Sequence, residues 1–493
     1  MNTTPELSKI LLQSQLFICW ATMPDTTSPS TPSPAQAILC FGVVIAIIAI
    51  GLFLFAIDLH SLMFLCLIWA TVNARLLGHS SAGIRQLMSS AISRALPAIY
   101  IFILIGMVIA SFMHSGTIAT LMYFGLDWLS PGSFLAVGML LCALMSMATG
   151  TAWGTAGTLG VVFIGIGGTM GIPLPIVAGM VVCGATFGDK MSPISDTTNL
   201  AAMSAETDLY RHIYSMLFTT APSFLLALII FTLIGLGYAD GDFGGEEIGT
   251  IRQALSDTYL LYPLISLIPI FLLAILSIRR VPAEITMSLS VLAAVIIAVA
   301  YQGQSPVAVL NALWANTPGS TGIDSLNDLL GRGGISSMSW TLMLALMALA
   351  LGGILHGAGF LSVLLAGIIS RVQRVATLIA TTICSGFVGN LAMGEAYISI
   401  ILTCQLFRSK YEDQGMDKAL LSRSVEEGST LTTGLIPWTT AGAFYAATLG
   451  VPVLDYVPFA FFNYLNAFVS ITMAALGIGL LSRKIDSSRQ LTD

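Results

Sequence analysis

The sequence predicts an all-α polytopic membrane protein of about 10–13 transmembrane helices, with broken or re-entrant segments and an internal two-fold repeat of the inverted kind. Three observations predict it. The chain of 493 residues is 56% hydrophobic and 9% charged, with a mean hydropathy of +0.89. Soluble domains carry about 25% charged residues, so this chain could not cover a water-exposed surface. Apolar runs fall near 36–56, 60–74, 95–113, 133–148, 155–187, 213–238, 259–278, 284–301, 338–357, 375–391, 394–407 and 456–481. Several reach the roughly 20 residues that span as a helix, and others are shorter and broken by Gly or Pro. Inside these runs, residues 184–202 hold two carboxylates (Asp189, Asp196), Lys190 and the oxygen-bearing side chains of Thr186, Ser192, Ser195, Thr197, Thr198 and Asn199. Ionisable groups in hydrocarbon are costly and persist where they handle ions, protons or substrate.

The elements follow in order. Within 1–34, a short apolar piece at 11–21 precedes a Ser-, Thr- and Pro-rich stretch, and Lys9 is the sole cation. A cleaved signal peptide needs a basic leader, so a flexible N-terminal segment is expected here. Residues 35–482 form one membrane transporter domain, with repeat cores near 133–202 and 375–450, and 483–493 form a tail. Cations gather in separate connections: Arg75, Arg85 and Arg94; Arg279 and Arg280; Arg371 and Arg374; Arg408, Lys410, Lys418 and Arg423; then Arg483, Lys484 and Arg489. The connection 239–257 is acidic, and Arg332 is the lone cation of 302–337. The positive-inside rule places the basic group and both termini in the cytoplasm, in what is expected to be a bacterial inner membrane. The bilayer is the partner that composition demands, and nothing points to nucleic acid. The seven cysteines are scattered through apolar runs without metal spacing, as small buried hydrophobes are.

The two cores echo one another. Trp153 precedes Asp196 by 43 residues and Glu395 precedes Trp438 by 43, and Thr-Thr follows each later member. Few other positions match at this offset of 242 residues, so the echo reads either as chance or as a duplicated structural repeat, which is how many secondary transporters are built. Each core carries a proline beside its polar cluster, Pro193 and Pro437. Inside a helix these would free the carbonyls of Asp189 and Thr433, which at membrane depth must be met by protein, water or an ion.

Candidate ligands follow from oxygen chemistry. Asp196 sits among Ser195, Thr197, Thr198 and Asn199, with no adjacent cation; neutral oxygens around one carboxylate suit a weakly bound hard cation. Its structural alternative is a helix N-cap. Asp189 adjoins Lys190, so a structural ion pair competes with ligation. On an unbroken helix Asp189 and Asp196 would lie about 10 Å apart, and a break at Ser192-Pro193 could change that. Glu395 is a lone acid between two apolar runs, functional by default. Asp196, Thr197, Asn199 and Glu395 make the expected sodium-ligand set. Thr149, Thr151, Trp153, Thr155, Trp438 and Thr439 are further ion- or substrate-binding candidates, although membrane threonines often bond their own backbone. His114 and His356 read as packing residues, and Glu426 and Glu427 as solvated. No His-Glu-x-x-His, Gly-x-Ser-x-Gly or P-loop occurs, so neither an enzyme nor an ATP-driven pump is expected.

The strings SMATGTAWGTAGTLG at 146–160 and GDKMSPISDTTNLA at 188–201 resemble the NhaC-type sodium/proton antiporter family, part of the wider ion-transporter superfamily. Ser115-Gly116-Thr117, Tyr123–Leu126, Leu421-Ser422-Arg423, Ile436-Pro437-Trp438 and Ala441–Val451 support the likeness, which covers roughly residues 90–470. The resemblance implies secondary transport without a cofactor: Na+ exchanged for H+. In similar relatives transport is coupled to a small organic anion, such as malate for lactate; an amino acid is a further candidate solute on the same fold. Two departures, Gly394-Glu395-Ala396 and Thr433–Thr439, fall in the second core and bear on the transported species. A channel and an intramembrane enzyme are the readings from other classes, and a homodimer is compatible with a fixed-scaffold transporter. The mechanism expected is that Asp196 and Glu395 face one central cavity, where sodium and protons compete for the same carboxylates.

Overall fold

The computed structural model describes residues 29–238, 245–317, 319–369 and 372–481. The tail 483–493, nearly all of the segment 1–34, Arg371, and the acidic residues Asp240 and Asp242 therefore lie outside the described residues. Among the described residues there is no β-strand. Nine of the described helices are long and apolar enough to cross a membrane. Two bent pairs raise the number to as many as eleven: Ser81–Arg94 with Ile99–His114, bent by 44°, and Val453–Phe459 with Phe461–Ala475, bent by 53°.

The helices are built for lipid outside and polarity inside. On Leu209–Leu236, the side chains of Leu225, Ile229, Leu233 and Leu236 are exposed, while His212, Ser215, Thr219 and Ser223 are wholly buried. An apolar outer face of spanning length satisfies hydrocarbon, and the polar face must then find its partners within the protein. Pro222 sits inside this helix without ending it, and the hydroxyl of Ser223 takes up the Thr219 carbonyl at 2.6 Å.

The path of the chain is duplicated. Pro131–Thr149 recurs as Val375–Met393, with both ends 244 residues further on. Asp196–Ala205 recurs as Thr440–Leu449. Leu174–Met191 and Lys418–Thr433 start at the same interval, as do Leu209–Leu236 and Val453–Tyr456. The segment Ala152–Thr169, whose middle turn Ala156–Gly160 is a π-helix, matches Ala396–Asp413. Left-handed joints recur too: Gly150 and Gly394 (φ 70° and 66°), then Glu206 and Gly450 (φ 58° and 67°). The offset of 242 expected from Trp153/Glu395 and Asp196/Trp438 is thus corrected by two residues. Pro193 matches Pro437, the N-cap Thr151 matches the N-cap Glu395, and Ser195 matches Thr439. The Thr-Thr pairs misled because they sit two positions apart in the first turn of matching helices: Thr439 is the N-cap of one, and Thr197 is the second residue of the other.

Close helix contact holds each repeat together. A Cβ on Gly184 would strike the Met139 carbonyl, and one on Gly428 the Ile383 carbonyl, both well under 3.0 Å. These are matching positions, and small residues at such crossings let backbones touch. The prolines do not free the carbonyls expected of them. Both lie in loops between helices, where the Asp189 carbonyl accepts from Ser192 N at 3.2 Å and Thr198 Oγ1 at 3.3 Å. The Thr433 carbonyl accepts from Ile436 N at 3.4 Å and from the Thr439 hydroxyl.

Candidate functional site

Two interrupted arms meet at the seam between the repeats. In the first, Leu174–Met191 ends and the chain turns through residues 192–195 before Asp196–Ala205. Ser192 Oγ donates to the Met147 carbonyl at 2.8 Å, and Asn199 Nδ2 donates to the carbonyls of Pro193 and Ser195 at 3.0 and 2.7 Å. Ser195 caps the new helix by accepting from Thr198 N at 3.5 Å. In the second arm, Gly394 turns the chain and Glu395 caps Ala396–Asp413, accepting from Ile398 N at 3.2 Å. Side-chain oxygens at these positions satisfy the orphan N–H groups of a helix start.

The arms cross over. Tyr397, one turn into the second arm, donates its hydroxyl to Asp196 Oδ2 in the first repeat. Its counterpart Trp153 stacks on Phe444 of the second repeat, with centroids 4.7 Å apart and planes 13° apart. Each arm therefore rests on the post-break helix of the other half.

The sequence candidates separate into groups. Asp189, Ser195, Thr197 and Thr198 converge: Thr197 Oγ1 lies 3.5 Å from Asp189 Oδ2 and 3.2 Å from Ser195 Oγ. Asp196 is exposed and pairs with Tyr397, while Glu395 is buried at 4% exposure. The expected set of Asp196, Thr197, Asn199 and Glu395 is not gathered into one shell. Thr197 turns to Asp189, and Asn199 Nδ2 is spent on backbone carbonyls. Asp196 Oδ1 accepts from Thr197 N at the head of one helix, and Glu395 caps another. Thr149 and Thr155 donate to their own helices, to Met145 O at 2.9 Å and Thr151 O at 3.1 Å, and Thr151 accepts from Gly154 N. Trp438 Nε1 donates to Leu391 O at 3.0 Å, and Thr439 caps Gly442 N at 3.1 Å. His114 Nε2 meets Asn316 Oδ1 at 2.9 Å, so it is a bonded residue at a loop rather than an isolated one.

Glu426 and Glu427 overturn the expectation that they are solvated, since both are wholly buried. They lie on Lys418–Thr433, a helix buried along nearly its whole length. Lys190 Nζ meets Glu426 Oε1 at 2.7 Å, Thr197 Oγ1 at 2.8 Å and Asp189 Oδ2 at 3.6 Å. His212 Nε2 faces Glu426 Oε2 at 2.8 Å, and Nδ1 faces Ser422 Oγ at 2.7 Å. Glu427 accepts from Thr219 and Ser470 hydroxyls, each at 2.6 Å, and lies 3.8 Å from Arg423 Nε. The spacing of Arg423, Glu426 and Glu427 places all three on one helix face, a signal that the mixed-charge loop before them hid. His212 gave no sequence signal.

Residues 184–478 match the profile of the Na+/H+ antiporter family. The chain is 38% identical to a protein named Na+/H+ antiporter NhaC from Alkalihalophilus pseudofirmus, over 90% of this chain and 96% of that one. It is 33% identical to an arginine/ornithine antiporter ArcD from Halobacterium salinarum, over 92% and 94%. It is 31% identical to a malate-2H+/Na+-lactate antiporter from Bacillus subtilis, over 88% and 92%.

Proposed function

The chain belongs to the Na+/H+ antiporter family, and from that membership we propose that it exchanges sodium ions for protons across a membrane by alternating access. One observation supports the reading above the others: the Asp189 carboxylate and the hydroxyls of Ser195, Thr197 and Thr198 converge at a helix break in the seam between two repeats. A single carboxylate among neutral oxygens holds a hard monovalent cation loosely enough to release it. Lys190 leans to Glu426 rather than to Asp189 (2.7 against 3.6 Å), which leaves negative charge at Asp189 for the ion. Asp196, with Tyr397 and Glu395, supplies further negative charge beside it.

Removing water from a carboxylate favours its neutral form. A proton and a sodium ion then compete for the same buried negative charge, and antiport follows if only loaded forms reorient. The protein works as a transporter rather than an enzyme and needs no resident cofactor. A cytoplasmic membrane with both termini inside is the orientation that the basic connections support under the positive-inside rule.

Purified protein in proteoliposomes with an entrapped pH dye tests this. An imposed sodium gradient is expected to drive proton movement, and Asp189→Asn and Asp196→Asn are expected to abolish it while the protein stays folded. Uptake of radiolabelled carboxylates and amino acids with no sodium-driven proton movement would replace sodium/proton antiport with organic-solute exchange.

A further inference from the structure

We infer that buried His212, seated against Glu426, carries the proton of the exchange cycle, apart from the cation site at Asp189 and linked to it through Glu426, which Lys190 and Thr198 contact. This deepens the antiport reading and rests on it.

The first support is a comparison inside the molecule. Shifting by 244 residues takes Lys190, Glu426, His212 and Ser422 to Gly434, Val182, Tyr456 and Ala178. The matching positions meet as well: Gly434 approaches Val182, and the Tyr456 hydroxyl donates to the Gly434 carbonyl. One interface is therefore packed with apolar and neutral groups, and its twin carries a lysine, a glutamate and a histidine. The fold does not require those charges, because the same crossing forms without them. Buried ion pairs are seldom the cheapest way to hold helices together, so a role in transport accounts for them better than packing does.

The second support is charge balance. Asp189, Glu426 and Glu427 face Lys190 and Arg423 in a region where all five are buried. With His212 neutral the set carries one negative charge. One sodium ion at Asp189 balances it, and so does one proton on His212. An uncompensated buried charge is costly, so the two cations are alternatives. The surroundings of His212 hold the rest of the local charge. They are Tyr210, Arg211, Tyr214 and Asp208 beside His212, Asp196 and Glu206 at the two ends of Asp196–Ala205, Asp417 (paired with Arg211) and Lys418 at the start of Lys418–Thr433, and Cys183 on Leu174–Met191. Pro131–Thr149 and Val453–Ala475 contribute Cys142, Asp455, Tyr456 and Tyr464 as their titratable residues.

The third support is that both protonation states are bonded in place. The Ser422 hydroxyl can donate to His212 Nδ1 at 2.7 Å, which suits the neutral ring with its hydrogen on Nε2 facing Glu426. It can instead rotate to the Ala419 carbonyl at 3.1 Å and accept from Nδ1–H, which suits the imidazolium. A hydroxyl rotation lets the ring gain or lose that proton at Nδ1 with no heavy atom displaced.

Full-length protein in proteoliposomes provides the test. Absence of sodium-driven proton movement in the unaltered protein overturns antiport, and this inference with it. Where the unaltered protein exchanges, His212→Gln fixes a neutral group at the site. It is expected to lose sodium/proton exchange by at least ~10-fold. Exchange of sodium for sodium is expected to persist within about 3-fold and to lose its pH dependence. Sodium/proton exchange that survives with an unchanged pH profile overturns the assignment, as does equal loss of both exchanges from a folded variant. If His212→Gln does not fold, nuclear magnetic resonance of isotope-labelled histidine decides, with His60, His79, His114 and His356 replaced by Gln. The ring of His212 is expected to give up a proton on saturation with sodium, and a ring indifferent to sodium overturns the proposal.

Discussion

At the scale of single residues, position in the sequence and role in the site part company. Asp189 and Asp196 were legible because a carboxylate in an apolar run is too costly to keep without an ion, a proton or a substrate to handle. Their division of labour was not, since it depends on the 192–195 turn that aims Thr197 at Asp189 and Tyr397 at Asp196. Glu426 was illegible for a different reason. Its partners Lys190 and His212 are more than 200 residues away in sequence, and a charge next to a basic loop looks solvated until its partner is known. Glu426→Gln leaves Lys190 in a buried site with only the longer contact to Asp189, and the cost expected is about 3 kcal/mol, read as a fall in the thermal unfolding midpoint. Tyr397→Phe, by contrast, releases an exposed carboxylate to solvent. It should leave the midpoint nearly unchanged while altering the apparent sodium affinity of transport.

A surface cluster adds a pH prediction. Glu206 pairs with Lys418 at 2.9 Å and with Arg408. The Lys418 hydrogen bond first, and the Arg408 charge second, hold its carboxyl below the ordinary value of 4.5. A lowered carboxylate contributes stability above its unfolded value and loses it as pH falls through the folded one. Acidification below about pH 4.5 should therefore weaken this clamp, and Glu206→Gln should flatten that part of the pH dependence. The effect should be small and salt-sensitive because the pair is exposed.

At the scale of elements, the breaks were readable and their register was not. Proline and glycine announce interruptions, and Pro193 and Pro437 sit in loops as that chemistry requires. The offset of 244 emerges from helix ends and left-handed joints, which leave only faint marks in the sequence. Gly184→Ala and Gly428→Ala drive a methyl group into a carbonyl of the facing helix. Each should cost about 1–3 kcal/mol or more, with loss of transport. Gly249→Ala, in the helix Gly245–Thr258 with open space around it, should be neutral or stabilising by about 0.4–1 kcal/mol. Thermal unfolding of the three variants side by side checks the contrast.

At the scale of the whole molecule, composition alone gave the membrane-embedded helical class, because no soluble surface could be assembled from 9% charged residues. It could not give the inequality of the two halves. That inequality is plain at one crossing, where one repeat brings ions together and the other brings Val182, Tyr456 and Gly434. The mutual embrace of the arms has its own consequence. Tyr397 grips the first half and Trp153 leans on the second, so one swing of either half strains both latches in the same stroke. In an alternating-access cycle such a tie would couple opening toward one compartment to closing toward the other.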